Sequence, residues 1–297
     1  MQPSFRGPIA ALLTARKSDG SIDHAGVERN IELVLSHGVK GVVVCGGTGE
    51  YADMSNEQRR LLLQHVSAVN RDRGYIICSN GAMRLADSVA LAEHALALGA
   101  DAVLLPPPHF FRYNQPDLED FYREAAKRIK GPVLIYNLPF TSLIEPETTV
   151  KLINSVDNIV GVKDSSGSLA TLEALEGRED VCRILGNDKV LAEALRRNLI
   201  DAVISGPAGV VPEIVVALFA AIEAKDDKRF EKLAVLFDDI IEKTDSFAYP
   251  WALKLIAAKR EIFSAELPFA LSKTRQKQAE ALEDWFEDWM EQVKEVE

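Results

Sequence analysis

At 297 residues, 47% of them apolar, the chain is long enough to build one large α/β barrel. Its 34 basic and 45 acidic residues leave a net charge of -11, which argues against a nucleic-acid footprint and for a soluble protein, and no apolar stretch approaches the length of a membrane helix. Cys45, Cys78 and Cys182 are far apart in apolar runs without a Cys-x-x-Cys pair, and the histidines lack metal spacing, so the pattern predicts reduced, buried thiols, a cytoplasmic setting and no metal. Met1 to Arg6 has no charged start followed by an apolar run, so no signal peptide is expected.

Eight short apolar runs recur in chain order: Ile9–Leu13, Gly41–Cys45, Tyr75–Ser79, Ala102–Leu105, Val133–Tyr136, Ile159–Val162, Cys182–Leu185 and Ala202–Ile204. Amphipathic helical patterns lie between them. Ser55-Asn56-Glu57-Gln58 reads as a capping box ahead of Leu61, Leu62, Val66 and Val69. Gly99 suits a helix stop, and Pro116 and Pro146 suit first helical turns. The runs end about 20 to 35 residues apart, the size of a strand–helix unit. Eight such units predict a (β/α)8 TIM barrel, with a doubly wound sheet as the alternative, although no G-x-G-x-x-G opens one. From Val211 onward the chain reads as helix only, over Glu213–Ala224, Lys228–Thr244, Trp251–Ile262 and Lys273–Val296. The first closes the barrel. The expected organisation is therefore a barrel over 1–225 and a C-terminal helical appendage over 226–297.

Active sites of such barrels sit at the C-terminal ends of the strands, and that rule selects residues. The sixth run leads directly to Lys163. Burial disfavours a charged amine, and a neutral amine forms Schiff bases with carbonyls; the alternative is a lysine that snorkels to solvent or pairs with Asp164. The second run ends in Gly46-Gly47-Thr48-Gly49-Glu50, a turn able to offer N–H groups and a hydroxyl to a carboxylate, or simply a tight turn. The fifth ends in Tyr136-Asn137-Leu138-Pro139, where a phenol can exchange protons near the lysine or merely pack. The seventh ends in Gly186-Asn187-Asp188, polar groups at the rim or the N-cap of the next helix, and the eighth in Ile204-Ser205-Gly206-Pro207, whose small residues leave room beside a ligand.

Gly46–Glu50, Tyr136–Pro139 and Gly161-Val162-Lys163-Asp164, in this order and at these distances, resemble the dihydrodipicolinate synthase / N-acetylneuraminate lyase family over nearly the whole chain. The resemblance implies a class I aldolase or lyase, with Lys163 forming the imine and Tyr136 as acid/base. It implies that the Gly47–Thr48 turn holds the carboxylate of a 2-oxo acid, that Ile204 and Ser205 line it, that no metal or organic cofactor takes part beyond the covalent imine, and that the chain forms a homotetramer. Three departures shape the expected substrate. Thr141 stands where the synthase pattern has an arginine, Phe110 where it has a tyrosine lent by a neighbouring subunit, and Gly47 in place of the first threonine of a pair. The turn is also similar to that of 5-dehydro-4-deoxyglucarate dehydratase. The leading expectation is thus a lyase or dehydratase acting on a 2-oxo-3-deoxy sugar acid, with Thr141, Ser142, Asn187 and Asp188 toward its hydroxylated tail. The alternatives are dihydrodipicolinate synthase, the glucarate-type dehydratase and a non-catalytic keto-acid sensor. Arg112 is the cation that could overturn a neutral-tail preference, and Tyr113 the residue that could replace the lost tyrosine.

Overall fold

The computed structural model describes residues 4–296. Eight parallel strands close into a barrel in sequence order: β1 Gly7–Ala11, β2 Gly41–Val44, β3 Tyr75–Ser79, β4 Ala102–Leu105, β5 Val133–Asn137, β6 Ile159–Asp164, β7 Cys182–Leu185 and β8 Ala202–Ser205. Closure comes from β1 pairing with β8, with Gly7 opposite Ala202 and Ala10 opposite Ser205. That register explains the one shifted strand. The apolar run Ile9–Leu13 enters the sheet two residues early, and Leu12 donates from its backbone to Val43 beyond the end of β1. The fifth, sixth and eighth strands run further than their apolar cores, because the polar residues at their ends still form ladder hydrogen bonds.

The strands are buried on both faces, as a parallel sheet under helices requires. Alternate residues divide between two cores. Ile9, Val43, Ile77, Leu104, Leu134, Ile184 and Ile204 fill the barrel interior. Val42, Val44, Val103, Ile135 and Val203 face the helices instead. Those helices are α1 His24–Ser36, α2 Asn56–Asn70, α3 Leu85–Ala97, α4 Gln115–Arg128, α5 Pro146–Ser155, α6 Ala170–Glu173, α7 Leu191–Arg196 and α8 Pro212–Glu223. Ser55 and Gln58 form the expected capping box on α2, an arrangement in which the cap alone is worth about 1 kcal/mol. Pro116 and Pro146 occupy the first turns of α4 and α5, and Gly99 takes the left-handed conformation just past α3.

Three further helices follow: α9 Asp227–Asp245, α10 Trp251–Lys259 and α11 Lys273–Val296. The aromatic face of α11 packs inward. Trp289 is fully buried, stacks on Trp285 and Phe286, and donates its indole N–H to the Leu236 carbonyl of α9 at 2.9 Å. An indole has one donor and needs one acceptor when buried, and α9 supplies it. No described helix is long and apolar enough to cross a membrane.

Candidate active site

Lys163 on β6 and Tyr136 on β5 are partners in register, so both side chains emerge on the same side of the sheet at the same height. The Lys163 Nζ lies 3.3 Å from the Tyr136 hydroxyl and 4.4 Å from its ring centroid. Both side chains are buried. Asp164, next along the strand, turns to the other face. Its carboxylate accepts from Asn137 Nδ2 at 3.1 Å and from the Ser166 N–H at 2.8 Å, so it is engaged away from the lysine. Asn137 also exchanges hydrogen bonds with the backbone of Ile144, which pins the loop after β5. Gly186, past β7, leaves room for the lysine stem. A Cβ there would stand 2.5 Å from Lys163 Cε and 2.1 Å from Ser165 Oγ.

The turn after β2 closes over this pair. A Cβ on Gly47 would lie 3.9 Å from the Tyr136 hydroxyl, so the missing side chain leaves open space beside the phenol. Thr48 is buried, and its Oγ1 is 2.7 Å from the hydroxyl of Tyr249, which arrives from the corner between α9 and α10. Glu50 sits in the left-handed region (φ 55°) and forms a 2.7 Å ion pair with Lys254 of α10. Tyr51 follows, its hydroxyl 2.5 Å from His109 Nε2. Burial pushes the Tyr51 phenol up to about 12, and burial also lowers the pKa of His109, favouring the neutral imidazole. The guanidinium of Arg59, donating to the carbonyls of Ser79 and Gly81, lies 5.2 Å from the centroid of the Tyr51 ring.

Across the cavity stand the ends of β7 and β8. Burial pushes the Asp188 carboxyl up to about 6, against the opposing effect of the Ser205 hydroxyl, the Gly206 N–H and the nearby Lys163. Its Oδ2 accepts from that N–H at 3.3 Å, while Oδ1 has no partner among the described residues. Asn187 lines the cavity and also caps the short 3-10 turn Asp188–Val190, accepting from the Lys189 N–H, so both readings of this residue hold together. Lys189 is ion-paired with Asp245 of α9.

These groups surround one cavity of about 530 Å3 at the C-terminal end of the barrel. Gly47, Thr48, Tyr136, Thr141, Lys163, Asn187, Asp188 and Ile204 all line it. Ser205 does not. It is wholly buried behind the wall, where its Oγ accepts from the Ala208 N–H at 3.2 Å. Thr141 donates to the Leu138 carbonyl at 2.8 Å, while Ser142 turns out of the cavity to accept from the Tyr113 N–H. Arg112 and Tyr113 lie outside as well, in a surface groove with Phe110, Phe111 and Phe140. Sequence reasoning missed Tyr51, His109, Lys189, Asp245 and Tyr249. The first three are a few residues from motifs already singled out, but Asp245 and Tyr249 come from the helical region and carry no local signal. Chemically, an amine held beside a phenol can add to a carbonyl and have the departing hydroxyl protonated.

A family model described as the dihydrodipicolinate synthetase family matches residues 4–283. A 4-hydroxy-tetrahydrodipicolinate synthase of Methanothrix thermoacetophila is 32% identical over 222 residues, covering 73% of this chain and 74% of the relative. One from Kosmotoga olearia is 30% identical over 291 residues, covering 94% and 98%. Among solved structures, dihydrodipicolinate synthase from Aquifex aeolicus superposes with a TM-score of 0.88 at 24% identity, over 96% of this chain and 98% of that one. YagE, an Escherichia coli K12 prophage protein solved with pyruvate, superposes with a TM-score of 0.89 at 21% identity, over 96% and 99%. At these identities the two structures speak for the fold alone.

Proposed function

The chain belongs to the dihydrodipicolinate synthetase family, whose members are class I aldolases and lyases, and from that membership and the geometry of the cavity we propose that it cleaves or dehydrates a 2-oxo-3-deoxy sugar acid through an imine on Lys163. The observation that carries this is the buried Lys163–Tyr136 pair, 3.3 Å apart under the Gly47–Thr48 turn. The Lys163 amine adds to the C2 carbonyl, and Tyr136 gives the proton with which the carbinolamine hydroxyl leaves as water. The resulting iminium is an electron sink. In cleavage, the C4 hydroxyl loses its proton, the C3–C4 bond breaks and an aldehyde departs. The bonding pair becomes an enamine, which is protonated at C3, and hydrolysis frees pyruvate. In dehydration, C3 loses a proton and the C4 hydroxyl leaves instead. Either way Thr48 and the backbone of the turn hold the carboxylate.

The neutral-tail preference is supported by the charges in the wall. Among the described residues the lysines lining the cavity are Lys163 and Lys189, the second already paired with Asp245, and no arginine lines it. Arg112 shares the outer groove with Phe140 and Thr141 but does not line the cavity, so a second substrate's carboxylate held inside the cavity would go without a free cation, at a desolvation cost of several kcal/mol in order of magnitude. Synthase activity with aspartate semialdehyde is the second reading, favoured by the names of the relatives at 30–32% identity. The exposed Phe110, Phe111 and Phe140, at 84, 64 and 82% of their full exposure, support burial of that face by a second copy in a homo-oligomer. The thiols of Cys45, Cys78 and Cys182 are buried and form no disulfide among the described residues, which supports a reducing, cytoplasmic setting.

The test is reduction with borohydride in the presence of pyruvate, followed by intact mass and peptide mapping. An adduct on Lys163, absent in Lys163→Ala, is the expected result. No adduct on the wild type would sink the imine reading. A panel of 2-oxo acids, with pyruvate release as readout, then separates the two substrate readings. Efficient condensation with aspartate semialdehyde would favour the second.

A further inference from the structure

Three parts of the fold meet at the phenolic oxygen of Tyr249. It lies 2.7 Å from Thr48 Oγ1, in the turn after β2. It also stands against the end of β8, where a Cβ on Gly206 would be 2.6 Å from that oxygen and 2.9 Å from Leu253 Cδ1. The tyrosine itself belongs to the corner between α9 and α10, and α10 grips the same turn a second time through the Lys254–Glu50 ion pair. Lys254 is fixed in its turn by donating to the Glu266 carbonyl at 2.8 Å. One side of the Tyr249 ring is open, with 56% of the residue exposed, but its hydroxyl points into the cavity wall.

A threonine hydroxyl has one proton and two lone pairs. If the phenol donates to it, the threonine proton stays free for another acceptor. Burial of its hydroxyl raises the Tyr249 phenol well above its ordinary range, against the lowering effect of the hydrogen bond to Thr48 and with Asp188 and Tyr136 pushing upward, so it keeps its proton at neutral pH and is able to donate it to the threonine.

We propose that Tyr249 is a positioning residue for the substrate carboxylate: its hydroxyl donates to Thr48 Oγ1 and leaves the threonine proton aimed into the cavity at that carboxylate. This rests on the Schiff-base reading of the site. It makes the C-terminal helical region a working part of the carboxylate subsite, and it gives Gly206 a purpose, since a larger residue would occupy the place of the phenolic oxygen.

The experiment titrates pyruvate against borohydride trapping in the wild type, Tyr249→Phe, Gly206→Ala and the double variant, with circular dichroism to establish folding. The phenylalanine variant should raise the half-saturating pyruvate concentration about fivefold, the worth of one neutral hydrogen bond. Its trapping rate at saturating pyruvate should stay within about twofold of the wild type on the same scale. Gly206→Ala keeps the tyrosine but displaces its hydroxyl, so it should produce the same rise, and the double variant no further rise. An unchanged half-saturation in Tyr249→Phe, or additive effects in the double variant, would overturn the proposal. So would a lower saturating rate at unchanged half-saturation, which would make Tyr249 a proton carrier. If Tyr249→Phe does not fold, Gly206→Ala decides by the same criterion. A wild type that traps nothing removes the Schiff-base reading and this role together, whereas trapping with equal half-saturation removes only the role of Tyr249.

Discussion

Replacing Lys254 by methionine tests how the helical region is tied to the barrel. The lysine and Glu50 side chains are 2% and 10% exposed, and their charged atoms are 2.7 Å apart. Methionine fills much of the same volume but leaves the Glu50 carboxylate buried without its cation, and it also deprives the Glu266 carbonyl of a donor. Removing one partner of a buried pair costs about 3–5 kcal/mol. A chain of this size loses roughly 2 °C of melting temperature per kcal/mol, so Lys254→Met should melt about 6–10 °C below the wild type. Neutralising the survivor removes the buried-charge part of that penalty. The double variant Glu50→Gln with Lys254→Met should regain about half of the loss, leaving the smaller cost of an unpaired amide. Differential scanning calorimetry at fixed protein concentration reads both shifts. A single variant within about 2 °C of the wild type, or a double variant as low as the single, would refute the claim that this contact holds a desolvated charge.

Other outcomes follow from the same geometry. Tyr136→Phe deletes one hydroxyl beside Lys163, so it should fold normally while slowing turnover roughly 100-fold or more, measured by stopped-time pyruvate release; near-normal turnover would pass the proton to another group. Gly186→Ala drives a Cβ to within 2.5 Å of Lys163 Cε, so it should cost about 1–3 kcal/mol in urea unfolding and abolish trapping, and unaltered trapping would show that the lysine stem has room to move. Asp188 titrates near 6 in the folded chain against 3.8 ordinarily, so the fold binds its proton more tightly than the unfolded chain does. Its contribution to stability is present below the ordinary value and is lost as pH rises through about 4 to 6. Asp188→Asn should therefore stabilise the protein by on the order of 1–3 kcal/mol near pH 8 and by almost nothing near pH 4, and an equal effect at both would contradict the assigned shift.

Much of the architecture was legible because it is written in local periodicity. Apolar runs bounded by caps, glycines and prolines mark strands and helices wherever neighbours in sequence are neighbours in space. The spacing of the runs then implied a barrel, and the rule about strand ends drew Lys163, Tyr136, Thr48 and Asp188 to one face. Serine 205 shows the limit of that reasoning. Position at a strand end brings a residue to the rim, but the alternation of side chains decides whether it faces the cavity, and the Ser205 hydroxyl lies behind the wall instead. Arg112 and Ser142 likewise sit in loops beside the site and turn outward, which no local pattern records.

By itself, then, the sequence determined the order of strands and helices, the barrel class and the pairing of an amine with a phenol on adjacent strands, since each depends on short spacings and on the register of a parallel ladder. Only the tertiary structure decided what surrounds that pair. Tyr249 meets Thr48 across 201 residues, Lys254 meets Glu50, and Asp245 meets Lys189, because α9 and α10 pack over the open end of the barrel. Such contacts are chosen by the packing of whole helices, through burial that carries no direction along the chain, and a tyrosine in a helical corner looks the same in sequence whether it faces water or a substrate.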